Sequence, residues 1–270
     1  MHLGIHSKSL SRDSIEEAFR LAAQTGAEGV EVAYSTTQEA RPLRRWEEHA
    51  RMVSSIAQAN GLSVPSLNLY CLCNAPSLIG TGEVIDSGVE FVTAAISAAG
   101  AMGAPVVILP FFGKNTIEVE RELQKAGDAL GRLVEPAEEA GVILGVESTL
   151  NFDQQRFLLD NLGHSDSVRI CLDTGDALAH KFDAPTGIRE LGGDHIVEVH
   201  LKDVRFSEGA PPDFNVALGE GNVDFRAVAQ ALNAVGFDGW AILETPPGLD
   251  PLAAAKANLQ YAREVLTPTR

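Results

Sequence analysis

Basic side chains are scarce in this chain. Its 270 residues carry 21 Lys and Arg against 37 Asp and Glu, a formal net charge of −16. Phosphate backbones are held by Lys and Arg, so this balance argues against a nucleic-acid partner. Cysteine is scarce too, with only Cys71, Cys73 and Cys171. An odd, small number fits a reducing compartment without structural disulfides. Cys71-Leu-Cys73 has no second Cys/His pair at zinc-site spacing, so structural thiols are the better reading. No apolar run is read as reaching the ~20 residues that span a bilayer, which leaves no membrane partner. The N-terminus enters an apolar run without a basic segment or a cleavage site, and a cytoplasmic protein is expected. No Gly-x-Gly-x-x-Gly follows the first strand, so the dinucleotide-binding fingerprint is missing. Nothing resembles a linker or a low-complexity segment, and one domain over 1–270 is the simplest organisation.

What is present is a regular alternation. Strand-like runs fall at 3–5, 29–33, 62–69, 105–109, 142–146, 168–172, 196–201 and 239–243. Helical patterns lie between and after them. The first, 11–25, has Ser11 or Asp13 as its cap and stops at Gly26. The others are 42–60, 84–102, 116–140, 154–162, a short 188–191 in a connection broken by Pro185 and Gly187, 224–235, and 250–266 with Pro251 at its first position. A loop through Cys71, Cys73 and Pro76 follows the third strand, and a long Gly/Pro loop, 207–222, follows the seventh. The run Val-Val-Ile-Leu at 106–109 suits a strand buried on both faces. Eight parallel βα repeats predict an α/β chain folded as a single-domain (β/α)8 TIM barrel rather than an open doubly wound sheet.

The chemistry is concentrated where strands end. The run 196–201 finishes in His200, with Lys202 and Asp203 just beyond. Apolar strands do not finish in imidazole, ammonium and carboxylate unless those groups have partners. Run 142–146 leads into Glu147, 168–172 into Asp173, and 239–243 into Glu244. The spacings from Glu147 to Asp173 to His200 are 26 and 27 residues, about one βα unit each. That from His200 to Glu244 is 44, one unit plus the long loop. A single carboxylate at a strand end is more often a helix cap or a solvated loop residue. Four in successive strands of one barrel converge on one mouth. Three carboxylates and one imidazole make a hard donor set suited to one divalent ion: Mn²⁺ or Mg²⁺ first, Co²⁺ or Zn²⁺ as alternatives.

These segments carry a family resemblance. Gly-Val-Glu-Ser at 145–148, Cys-Leu-Asp-Thr-Gly-Asp at 171–176, Val-His-Leu-Lys-Asp-Val-Arg at 199–205, Leu-Gly-Glu-Gly-Asn-Val-Asp-Phe at 218–225 and Gly-Phe-Asp-Gly-Trp-Ala-Ile-Leu-Glu at 236–244 resemble the xylose isomerase-like TIM barrels, the sugar phosphate isomerase/epimerase family. The resemblance covers nearly the whole chain and is strongest from Gly141 onward. It implies that Glu147, Asp173, His200 and Glu244 bind one divalent metal. It also implies that Glu147 and Glu244 are an acid/base pair moving a proton beside a sugar carbonyl through a metal-stabilised enediolate. A small sugar or polyol is the implied substrate, and a homodimer or homotetramer the implied assembly. The chain departs from the family at Asp176, where a His is usual. Asp176 either accepts a hydrogen bond from a sugar hydroxyl or caps the next helix.

Further substrate-binding candidates are His6, Lys202 and Arg205. His6 lies at the mouth as a substrate contact or a packed histidine. Lys202 neutralises an enediolate or pairs with a ligand carboxylate. Arg205 binds a hydroxyl or phosphate, or is a solvated loop residue. Glu31, just before the end of the second strand, is a weaker candidate that reads also as a buried structural carboxylate, and Trp240 reads as core at the opposite end of its strand. The leading function is a metal-dependent ketose or sugar phosphate isomerase/epimerase. The alternatives are an inosose-type dehydratase on the same site and a non-catalytic sugar-binding barrel. A metal-dependent apurinic-site nuclease on this fold is disfavoured by the charge and by the absent His after the sixth strand.

Overall fold

A computed structural model of the chain describes residues 1–75, 77–163 and 165–266, so Pro76 of the expected loop lies outside the described residues. Eight parallel strands form a closed barrel in chain order. They are β1 His2–His6, β2 Gly29–Ala33, β3 Ser66–Asn68, β4 Val106–Phe111, β5 Ile143–Ser148, β6 Val168–Asp173, β7 Ile196–Leu201 and β8 Trp240–Leu243. The chain's contacts cluster into two compact units. One is Met1–Glu31, Asn60–Ser63 and Cys171–Arg270; the other is Val32–Ala59 and Val64–Ile170. Strands β2 and β6 contribute residues to both.

The first unit is built on β7, β8 and β1. Glu198 aligns with Trp240 and His200 with Ile242, while Gly4 aligns with Ile242 on one side and Gly29 on the other. A Cβ on Gly4 would lie 2.6 Å from Ile242 Cδ1. The glycine is what lets a large apolar side chain fill that layer. Helix α1, Ile15–Ala22, is capped by Ser14, whose hydroxyl accepts from Glu17 N at 3.1 Å. It starts later than the expected Ser11 or Asp13, because the Ser11 hydroxyl is engaged by Ser14 N. Helices α8, Phe225–Ala234, and α9, Pro251–Leu266, are capped by Asp224 and Asp250. In the second unit, β4 and β5 pair along their whole length, Val106 with Ile143 through Phe111 with Ser148, and β4 is buried throughout. Its helices are α2 Trp46–Asn60, α3 Glu83–Met102, α4 Glu120–Ala140 and α5 Phe152–Asn161.

The connection after β6 corrects the sequence reading. It holds two helices, α6 Thr174–Ala179 and α7 Ala184–Leu191. Pro185, read as a breaker, sits in the first turn of α7, where a missing N–H costs nothing, and Asp183 caps that turn through Thr186 N. Strand β3 is shorter than the expected 62–69. Ser63 is tied to Glu28 and Val30 instead, and Pro65 between them cannot donate to a ladder. Helix α3 also departs from the composition reading. It is long and apolar enough, by length and composition, to cross a membrane. It nevertheless carries Glu83, Asp86 and Glu90, and Val92, Ala95, Ala98 and Ala99 are buried within the second unit. The three cysteines are buried and none of them is joined in a disulfide.

Candidate active site

Strand β7 is buried over all six residues, yet two of them are Glu198 and His200, each 0% exposed. Two residues apart on a strand, they share a face. Buried polar groups of this kind are costly without partners. The partners come from neighbouring strands. His200 Nε2 lies 3.2 Å from Glu198 Oε1 and 3.4 Å from Glu31 Oε2, and its Nδ1 lies 3.1 Å from Glu244 Oε2. His6 Nε2 stands 3.8 Å from Glu31 Oε1. Glu31, buried as the sequence reading has it, is thus a partner of His200 and His6. Glu198 is the member that residue reading missed. Its only signal was an acid two places before His200 in an otherwise apolar strand.

Asp173 and Lys202 form the outer half. Asp173 Oδ1 accepts from Asp176 N at 2.7 Å and caps α6, while its Oδ2 lies 3.1 Å from Lys202 Nζ. One oxygen of Asp173 thus caps a helix and the other meets the Lys202 ammonium. Asp176 is not the cap. Its carboxylate meets Lys202 Nζ at 3.3 Å. The same ammonium lies 2.9 Å from Glu244 Oε1. Glu244 keeps 21% of its side chain exposed, so it is the acid of this cluster that faces a pocket. That pocket, about 350 Å³, is lined by His6, Lys8, Lys202, Phe214, Asn215 and Glu244.

Burial and charge set the protonation pattern. Burial, helped by the charge of Glu31, pushes Glu198 up to about 8. Burial would raise Glu31 as well, but the charge and hydrogen bond of His200 outweigh it and hold Glu31 low. Glu244 is likewise held well below the usual carboxylate range, because Lys202 and His200 overcome its burial. Burial and the nearby Asp173 push Asp176 up to about 6. Burial lowers His6 despite Glu244 and Glu31.

Three carboxyl groups, Asp173, Asp176 and Glu244, meet the Lys202 ammonium, and two more, Glu31 and Glu198, flank His200. A ligand atom from each of Asp173, His200 and Glu244 lies within 4.8 Å of the others. An acid surplus around converging oxygens and one imidazole nitrogen is the donor chemistry of a divalent ion. The residues present fit such an ion. His200 is also oriented for it. Nε2 faces Glu198 and Glu31, leaving Nδ1 toward Glu244, the pattern by which outer carboxylates fix a ligand imidazole.

Glu147 belongs to the second unit. It is the penultimate residue of β5, 3% exposed, aligned with Pro110. Arg205 is not brought to the cluster. Its guanidinium donates to Glu220 O at 2.9 Å and is 45% exposed. Trp240 lies at the far end of β8, 5.1 Å ring to ring from His2. Asp203, just past β7, is buried and accepts four backbone N–H bonds from the loop that follows.

Three comparisons bear on this geometry. A family model described as "Xylose isomerase-like TIM barrel" matches residues 19–265. L-ribulose-5-phosphate 3-epimerase UlaE of Shigella flexneri serotype 5b (strain 8401) is 29% identical over 252 residues, 90% of this chain and 86% of that protein. The UlaE of Escherichia coli (strain SE11) matches to the same extent. Among solved structures, D-psicose 3-epimerase from Clostridium cellulolyticum H10 with D-tagatose superposes with a TM-score of 0.79 at 16% identity, covering 98% of this chain and 99% of that one. An L-ribulose 3-epimerase superposes at 0.77 and 21% identity, covering 98% and 94%. At these identities the structural likeness speaks for the fold.

Proposed function

Because the chain belongs to the xylose isomerase-like TIM barrel family, we propose that it is a divalent-metal-dependent sugar epimerase or isomerase acting on a ketose or ketose phosphate. The eight repeats over 1–270 then serve as one catalytic domain. Asp173, His200 and Glu244 would hold the ion together with Glu147. Parallel barrel strands end on one rim, which supports adding the β5 acid to the other three. When bound, the ion supplies positive charge that lowers the cost of an enediolate.

The remaining chemistry belongs to the side chains. Glu244 and Glu147 are the acid/base pair. Glu244 is the member the electrostatics mark, a carboxylate kept ionised and turned to the pocket. As a base it removes the proton from the carbon beside the carbonyl. Glu147 returns a proton to the opposite face of that carbon, and the configuration inverts; with the roles exchanged, the reverse reaction follows. Glu198 and Glu31 hold the imidazole of His200 in place. His6 and Lys202 line the pocket and are the proposed substrate contacts, with Asp176 acting through Lys202.

The single observation that carries this reading is the convergence of Asp173, His200 and Glu244 at the ends of β6, β7 and β8, with Glu244 held ionised. The named relatives are ketose and ketose-phosphate epimerases, which favours return of the proton over loss of water. The test is solvent deuterium incorporation into D-psicose, L-ribulose or L-ribulose 5-phosphate by Mn²⁺-loaded protein. Glu147→Gln and Glu244→Gln should each lower exchange by about 10²–10⁴-fold. Full exchange in either variant would remove that residue from the mechanism. Loss of water from a keto-inositol without ketose exchange would point to the dehydratase instead.

A further inference from the structure

We propose that Lys202 competes with the divalent ion for Asp173 and Glu244, so that its ammonium must draw aside toward the pocket for the ion to seat. This rests on the metal-dependent reading above and goes beyond it.

One ammonium engages two of the proposed ligands. Lys202 Nζ is 3.1 Å from Asp173 Oδ2 and 2.9 Å from Glu244 Oε1. An ion taking those oxygens would stand beside a positive charge within a few ångströms, in a region where Lys202 is only 17% exposed. Charges so placed repel strongly, because little water screens them. The two cations cannot both hold these oxygens at full strength.

The seat of the lysine is built, and the tip is the part that can change partners. Thr174 Oγ1 lies 2.8 Å from Lys202 O and accepts from Lys202 N at 3.0 Å. Gly175 follows, and a Cβ there would come within 2.9 Å of Lys202 Cγ and 3.1 Å of Lys202 O. The Asp173-Thr-Gly-Asp176 turn therefore fixes the backbone of Lys202 and clears a path for its stem. Two further partners already stand beside the ammonium, Phe214 among the residues that line the pocket. Asp176 Oδ2 is 3.3 Å from Nζ, and the Phe214 ring centroid is 5.8 Å away. Moving off Glu244 and Asp173, the ammonium keeps a carboxylate and meets an aromatic face. There it becomes a donor in the pocket, turned toward whatever oxygen the substrate presents.

The experiment is Mn²⁺ binding by calorimetry or electron paramagnetic resonance on the whole chain after chelator treatment. Lys202→Met should bind Mn²⁺ at least about tenfold more tightly than the parent, since a repelling charge is gone. Its chelated form should melt at lower temperature, since Asp173, Asp176 and Glu244 lose their common counter-charge. Lys202→Arg keeps the charge and should stay near the parental affinity. Lys202→Gln serves in place of the Met variant if that one fails to fold. Unchanged or weaker Mn²⁺ binding in the neutral variants, with Glu244→Gln still losing the ion, would overturn the competition and leave the metal site standing. Failure of the parent and every variant to bind Mn²⁺, Mg²⁺, Co²⁺ or Zn²⁺ would overturn both.

Discussion

The loop that carries Phe214 and Asn215 to the pocket hangs on one carboxylate. Asp203 is 1% exposed, and each of its oxygens serves two amides. Oδ1 accepts from Val204 N at 2.8 Å and Val223 N at 3.1 Å. Oδ2 accepts from Gly219 N at 2.9 Å and Gly221 N at 2.8 Å. The glycines are part of the device. A Cβ on Gly221 would fall 2.2 Å from Oδ1, and Gly219 sits at φ +83°, a conformation that favours glycine. Asp203→Asn keeps one acceptor oxygen and replaces the other by an NH₂ group, which faces two donors it cannot satisfy. Two hydrogen bonds to a charged group are lost at roughly 1.5–3 kcal/mol each, about 3–6 kcal/mol together. Part of this is recovered because a loop can open to water locally, so roughly 2–4 kcal/mol is the expected net loss. For a chain of this size that corresponds to a melting temperature lower by about 4–16 °C. Calorimetry gives the shift, and limited proteolysis should place new cleavage within 204–223. Substrate KM should rise, because the loop lines the pocket. A variant melting within about 1 °C of the parent with unchanged proteolysis would refute the account.

Two further predictions concern titration and thiol chemistry. Glu198 keeps its proton in the folded chain up to about 8, whereas an ordinary Glu ionises near 4.5. The folded state therefore binds more protons across that window, and stability falls as pH rises through it. Glu198→Gln cannot ionise, so in chelator its urea midpoint should gain on the parent between pH 6 and pH 9; parallel midpoints would refute the assignment. Burial above all pushes Cys71 up to about 12 and Cys73 up to about 11, the latter also through the charge of Glu147. Both thiols should resist a disulfide reagent at pH 8 until the chain unfolds. Rapid labelling of either in the native protein would show that the site is open.

The sequence by itself determined the alternation of eight strands and most helices, and it marked the strand ends as the place of chemistry. The run 196–201 is β7 residue for residue, because a short run rich in β-branched apolar residues between a Gly-Asp-His turn and a Lys-Asp pair reads as a strand. Pro251 at the start of α9 was legible for the same local reason. Helix α6 was not. It has six residues and no apolar period, and its cap, Asp173, looks like a strand terminus. What only the tertiary structure decided is which polar groups meet. That Glu31 joins Glu198 beside His200 and that Asp176 turns to Lys202 rather than capping a helix depend on segments far apart in the chain, and that Arg205 stays with Glu220 depends on how the loop after β7 folds on itself. Periodicity and capping are local, and a sequence carries them openly. The partner of a buried charge is chosen when strands close side by side, and that choice is made in three dimensions.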